Sequence, residues 1–166
     1  MPTPLDLDAL ASEMKTAQDA ARYLDTFTAR FPGFDLPAAY EVAHRVHLAR
    51  LAEGARPVGR KIGFTNPDMW RRFGVCEPIW GHMYDTTVVR LTGTQARCSL
   101  GKLVEPKIEP EIVFGFRADP PAGAGLPEVL KAVEWVAHGF EIVQSHSPGW
   151  RFQAPDTVAD AGLHGT

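Results

Sequence analysis

The 166-residue chain predicts an α+β fold, helical at its start and rich in strands after residue 57. Two patterns point there. Through roughly the first fifty positions apolar residues recur at three- and four-residue steps, the spacing of one helix face. After Pro57 the chain changes to short alternating or β-branched runs separated by Gly and Pro, which suit strands and turns.

Residues 5–31 read as one helix, with Leu10, Met14, Ala17, Ala21, Leu24 and Phe27 in helical period and Phe31-Pro32-Gly33 as its stop. Pro37 opens a second helix through about Leu51, carrying Tyr40, Ala43, His47 and Leu51 on one face, and Gly54 follows as a C-terminal cap. Together they define an N-terminal helical section, residues 1–55, followed by a β-rich section, residues 56–166. In the second section, residues 58–64 read as a short strand and Asn66-Pro67 starts a brief helix to about Phe73. Residues 86–91 and 107–116 read as strands, residues 126–138 as an amphipathic helix, and residues 139–144 as a strand. The last stretch, residues 156–166, is small-residue chain with no closing element.

Composition narrows the function classes. The chain is 45% hydrophobic and 22% charged, as in an ordinary globular domain. Its formal charge of −3 and scattered Lys and Arg leave no electrostatic footprint for nucleic acid. Met1-Pro2-Thr3-Pro4-Leu5-Asp6-Leu7-Asp8 lacks a basic region and an apolar leader core, and no apolar run approaches membrane-spanning length. Cys76 and Cys98 stand alone without a CxxC, so a cytoplasmic protein with reduced thiols and no membrane partner is expected.

Chemistry concentrates in Glu109, Glu111 and Glu141. Residues two apart on a strand share a face, so the carboxylates of Glu109 and Glu111 point one way. Glu141 is flanked by Phe140 and Ile142, and a carboxylate in such a setting is costly to bury unless it is paired or holds a metal. Three carboxylates plus waters suit Mg²⁺ or Mn²⁺ and not zinc. The competing reading makes Glu105, Glu109 and Glu111 the wet side of an edge strand and pairs Glu141 with an Arg or Lys. Lys61, between Gly59 and Gly63, reads as a substrate-binding or proton-moving ammonium or as a surface lysine. His44 and His47 form a helix-face pair without a third ligand, and His82, His138, His146 and His164 show no ligand spacing. His146 reads as a buried structural residue or a neighbour of Glu141. Asp156 and Asp160 frame a polar turn or the mouth of a site. No GxSxG elbow, GxGxxG or phosphate loop occurs.

Several of these pieces occur in one order. Gly59-Arg60-Lys61-Ile62-Gly63-Phe64-Thr65 precedes Glu109-Pro110-Glu111-Ile112. Ala132-Val133-Glu134-Trp135 then leads to Phe140-Glu141-Ile142-Val143, and Asp156-Thr157-Val158-Ala159-Asp160 follows. From about residue 36 onward this set resembles the 2-keto-4-pentenoate hydratase and 4-oxalocrotonate decarboxylase group of the fumarylacetoacetate hydrolase superfamily. The resemblance implies a mixed β-rich fold of that type behind a helical section. It implies Mg²⁺ or Mn²⁺ on Glu109, Glu111 and Glu141, Lys61 in the active site and Asp160 close to it. Asp85 is the candidate for a further acid, in a shifted register. The activity implied is hydration of 2-hydroxypenta-2,4-dienoate to a 4-hydroxy-2-oxo acid in aromatic catabolism. A 4-oxalocrotonate-type decarboxylase and a non-catalytic subunit are the alternatives. Members of the group run on past the position of Thr166, so the resemblance also implies that the C-terminal part of the fold is missing here. A homo-oligomer or association with a related subunit is expected to complete the site.

Overall fold

Leu7–Asp19 forms α1, opened by the Asp6 carboxylate, which accepts from the Ala9 amide at 3.0 Å and so satisfies one of the unpaired donors of a first turn. The structure, a computed structural model, describes residues 5–166. Residues 1–4, part of the expected helical section and of the start searched for a leader, lie outside the described residues.

The helix expected over residues 5–31 is broken. It stops at Asp19, Ala21 takes a φ of 47°, and the Leu24 amide donates to the His146 carbonyl at 2.7 Å. A tertiary hydrogen bond thus replaces one that would have carried the helix onward. Helix returns only as the single turn α2, Phe27–Arg30. The next element, α3, spans Leu36–Ala52 close to expectation, with Asp35 capping the Ala38 amide at 3.0 Å and Pro37 in the first turn.

Leu10, Met14, Phe27, Phe34, Val42 and Val46 are buried together, and Phe27 meets Phe34 edge to face with ring centroids 5.2 Å apart. Ile79, Val158 and Ala159 belong to the same cluster. The helical section therefore shares its core with residues from the β-rich section.

β1 (Pro57–Gly63) and β2 (Ile79–Tyr84) form an antiparallel pair in which Lys61 faces Gly81. Between them lies α4, Pro67–Phe73, capped by Asn66 and ended by Gly74 at φ 65°. The strand expected at residues 86–91 does not form. The Thr87 and Val88 amides both donate to the Tyr84 carbonyl, at 3.0 and 2.9 Å, and this turn consumes donors that a ladder would need.

β3 covers Lys107–Phe116 and pairs antiparallel with β4, Val133–Val143. The helix expected to reach His138 is only α5, Leu126–Ala132. From Val133 the chain carries Val133, Trp135 and Val136, residues that fit a pleated surface, and the partner strand claims them. The final stretch also takes regular structure. Ala154–Ala159 forms α6, packed on α3 and largely buried. Ile142 and Thr166 exchange backbone hydrogen bonds of 2.8 and 3.1 Å, adding a short edge beside β4. Segment 161–163 lies so close to β2 that a Cβ on Gly81 would fall 2.3 Å from the Ala161 carbonyl oxygen, an approach only glycine permits. No helix among the described residues is long and apolar enough to cross a membrane.

Candidate metal centre

The β3–β4 register sets Glu141 directly opposite Glu109 and Gly139 opposite Glu111. Opposed residues of a ribbon project to the same side, so the three carboxylates converge, one oxygen of each lying within 4.8 Å of the other two. Gly139 keeps the space beside Glu111 open, since a Cβ there would come within 2.7 Å of Val113 Cγ2 and 3.7 Å of Glu111 Cβ.

The three residues differ in setting. Glu109 and Glu111 are exposed, whereas Glu141 is only 7% exposed. A buried carboxylate needs partners, and its two oxygens have different ones. Oε2 lies 3.0 Å from Lys61 Nζ, and Oε1 lies 2.7 Å from His164 Nδ1. Lys61 reaches in from β1 and also donates to the Gly162 carbonyl at 2.8 Å. The far nitrogen of His164 contacts Thr87 Oγ1 at 2.9 Å.

Burial pushes the Glu141 carboxyl upward, but the His164 hydrogen bond and the Lys61 charge outweigh it and hold the group below its ordinary value. Glu111 moves the other way. Partial desolvation between the strands, followed by the negative charges of Glu141 and Glu109, raises its carboxyl, with Lys61 opposing in part. The donor set is all oxygen, and the repulsion that lifts Glu111 is what a dication would relieve. These residues therefore fit a hard divalent cation.

Lys61 is thus brought to the trio. Asp160 turns its carboxylate to His146 Nδ1, at 2.8 and 2.9 Å, and to Gln18 Nε2 at 3.2 Å. The residue caps α6 and leads into segment 161–163, so its backbone adjoins the site while its side chain faces elsewhere. Asp85 Oδ1 accepts from the Arg56 amide at 3.0 Å, at the end of the β1–β2 pair. His146, 1% exposed, is the buried structural histidine of the two readings. His47 stacks on His82 with centroids 3.8 Å apart and meets the Tyr84 hydroxyl at 2.9 Å, while its ring centroid lies 6.5 Å from that of His44.

Sequence reasoning missed His164, Thr87 and the Gly162 carbonyl. His164 stands 23 residues from Glu141, and Thr87 stands 77 from His164; no periodicity spans such gaps. The one local cue is a histidine among the small residues of the final stretch.

No family model matches the chain. The chain is 34% identical over 158 residues to a 2-hydroxypent-2,4-dienoate hydratase of Pseudomonas putida, covering 93% of this chain and 69% of that protein. A 2-hydroxyhexa-2,4-dienoate hydratase of Comamonas testosteroni is 31% identical over 155 residues, covering 93% of this chain and 58% of its own. A 2-keto-4-pentenoate hydratase of Paraburkholderia xenovorans is 31% identical over 164 residues, at 98% and 60% coverage. Among solved structures, 4-oxalocrotonate decarboxylase from Pseudomonas putida G7, complexed with magnesium and adipate, superposes with a TM-score of 0.89. The two share 28% identity, and the match covers 99% of this chain and 62% of that one. The same enzyme complexed with calcium and acetate gives a TM-score of 0.85 at 27% identity. The chain thus spans 58–69% of the length of these curated relatives.

Proposed function

The chain belongs to the group of 2-keto-4-pentenoate hydratases and 4-oxalocrotonate decarboxylases, and from that premise we propose that it carries the group's metal-dependent hydration chemistry. The reaction is addition of water to 2-hydroxypenta-2,4-dienoate (2-keto-4-pentenoate), giving a 4-hydroxy-2-oxo acid in the catabolism of aromatic compounds. The observation that carries this reading is the convergence of Glu109, Glu111 and Glu141 within 4.8 Å, on a fold that matches a decarboxylase complexed with magnesium.

Glu109, Glu111 and Glu141 would hold Mg²⁺ or Mn²⁺. Bound there, the ion supplies positive charge that polarises the adjacent oxygens of a 2-oxo acid. Lys61 has three N–H donors, of which Gly162 and Glu141 take two. The third, which has no partner among the described residues, would hold a substrate carboxylate or pass a proton to the carbon skeleton. Exposure of Glu109 and Glu111 leaves the approach open to water and substrate. Asp160 and Asp85 take supporting parts: the first anchors the segment bearing Gly162 and His164, and the second ties β2 to the Arg56 amide.

A second reading, decarboxylation of a 4-oxalocrotonate-type keto-diacid, is favoured by the structural match to that decarboxylase. In either case we take the protein to work in the cytoplasm, in keeping with two exposed, unpaired cysteines, and as a homo-oligomer or beside a related subunit. The test follows loss of dienol absorbance with Mg²⁺ or Mn²⁺, alongside CO₂ release from a keto-diacid and size in solution. Turnover should require the metal and fall about 100-fold or more in Glu109→Gln, the order expected when a charge-stabilising group is removed. Unchanged turnover after that substitution would refute the assignment; CO₂ release in place of hydration would select the second reading.

A further inference from the structure

Glu141 differs from the other two glutamates in being held at both oxygens, by Lys61 on one and His164 on the other. These two restraints do not behave alike toward a cation. The Lys61 ammonium carries the same sign of charge as an incoming dication and rides on a four-carbon stem, so the two repel. His164 restrains the opposite oxygen through a ring held at both nitrogens, without a flexible stem.

His164 is itself fixed from several sides. Its side chain is 6% exposed, its backbone bridges to Val143, and its Nε2 lies 2.9 Å from Thr87 Oγ1. The Thr87 hydroxyl is gripped by the Tyr84 backbone, taking the amide at 3.3 Å and facing the carbonyl at 3.2 Å. Thr166 Oγ1 donates to the Thr87 carbonyl at 2.7 Å. The imidazole is therefore pinned at both nitrogens, by Glu141 on β4 and by Thr87 in the turn after β2, which Thr166 braces.

Resting on the metal-dependent reading above, we propose that His164, pinned by Thr87, is the positioning residue that orients Glu141 toward the cation and biases the centre toward small ions. Mg²⁺ and Mn²⁺ require near-octahedral ligands at short distance, while Ca²⁺ accepts loose and variable shells. A carboxylate held in one orientation serves the first kind of ion. A carboxylate free to swing penalises the small ion and leaves the large one nearly untouched.

Mn²⁺ and Ca²⁺ binding, each measured by titration calorimetry at one fixed pH, tests this in wild type, His164→Ala, His164→Asn, Thr87→Val and Thr87→Ser. Asparagine places an N–H near the position of Nδ1, and serine keeps the hydroxyl. His164→Ala and Thr87→Val should weaken Mn²⁺ by roughly 10- to 100-fold, the size of outer-shell effects, and Ca²⁺ by less than about 3-fold. His164→Asn and Thr87→Ser should stay close to wild type for both ions. Thermal melting without metal identifies any variant that fails to fold, and the histidine and threonine series report independently. Equal losses for the two ions, or wild-type Mn²⁺ binding in His164→Ala and Thr87→Val, would overturn the inference. A wild-type protein that takes up no Mn²⁺ would instead overturn the metal-dependent reading beneath it.

Discussion

Replacing Lys61 by methionine should destabilise the fold by about 2–4 kcal/mol at neutral pH, below the roughly 3–5 kcal/mol typical of breaking a buried ion pair because one partner of Glu141 survives. The Lys61 and Glu141 side chains are 10% and 8% exposed and 3.0 Å apart. At an effective dielectric of about 20 their gross attraction is roughly 5 kcal/mol, part of which is offset by desolvation. Methionine keeps the length of the stem but strands the buried carboxylate, which among the described residues retains only His164. For a chain of this size the loss corresponds to a melting-point drop on the order of 5–15 °C. Urea unfolding without metal, compared among wild type, Lys61→Met and the double variant Lys61→Met/Glu141→Met, measures it. The double variant should recover much of the loss, since an apolar pair can replace a buried ion pair at little net cost. The pH dependence follows from the same pair. Glu141 is held below its ordinary value in the folded protein, so its contribution is present above the unfolded carboxyl value of about 4.3 and lost as pH falls through the folded one. The gap between wild type and Lys61→Met should be widest near pH 7 and close on acidification below about 4. A single-variant loss under about 0.5 kcal/mol, the size of a surface pair, or a gap that ignores pH, would refute the claim that a buried ion pair anchors this site.

Two further tests reach the surroundings. Gly81→Ala puts a Cβ 2.3 Å from the Ala161 carbonyl oxygen, a backbone atom that must move; a loss of about 1–3 kcal/mol in urea unfolding is expected, and an unchanged midpoint would show that segment 161–163 does not rest on β2. His82 is pushed down to about 4 by burial first, then by His47, Arg60 and His44. Between the unfolded value of about 6.5 and that folded value the unfolded chain binds the extra proton, so stability is lost as pH falls through the window. After discounting for partial exposure the loss from pH 7 to 5 is on the order of 1 kcal/mol. His82→Phe, which preserves a ring against His47, should lose correspondingly less over that range, and an identical loss in both proteins would rule out His82 as the source.

Local pattern carried some elements well and failed at others for one reason. The glutamate strand was readable in full, because alternation is a property of neighbouring residues and Glu109 and Glu111 needed nothing else to share a face. The second helix, α3, was readable likewise, from Pro37 and the apolar period. Where a distant partner intervened, local pattern misled. The His146 carbonyl captured the Leu24 amide and ended α1 early, β3 drew residues 133–138 out of a helical period, and the Tyr84 carbonyl folded Thr87 into a turn.

The sequence by itself determined which residues could make a hard-cation site and that two of them would project together, since residue type and a period of two are written in the chain. Tertiary structure alone decided that Glu141 would stand opposite Glu109, that Lys61 and His164 would divide its oxygens, and that Asp160 would turn to His146. Those outcomes depend on pairing register and on contacts across tens of residues, and such contacts are selected by the energy of the whole packed fold, which no short window of sequence contains.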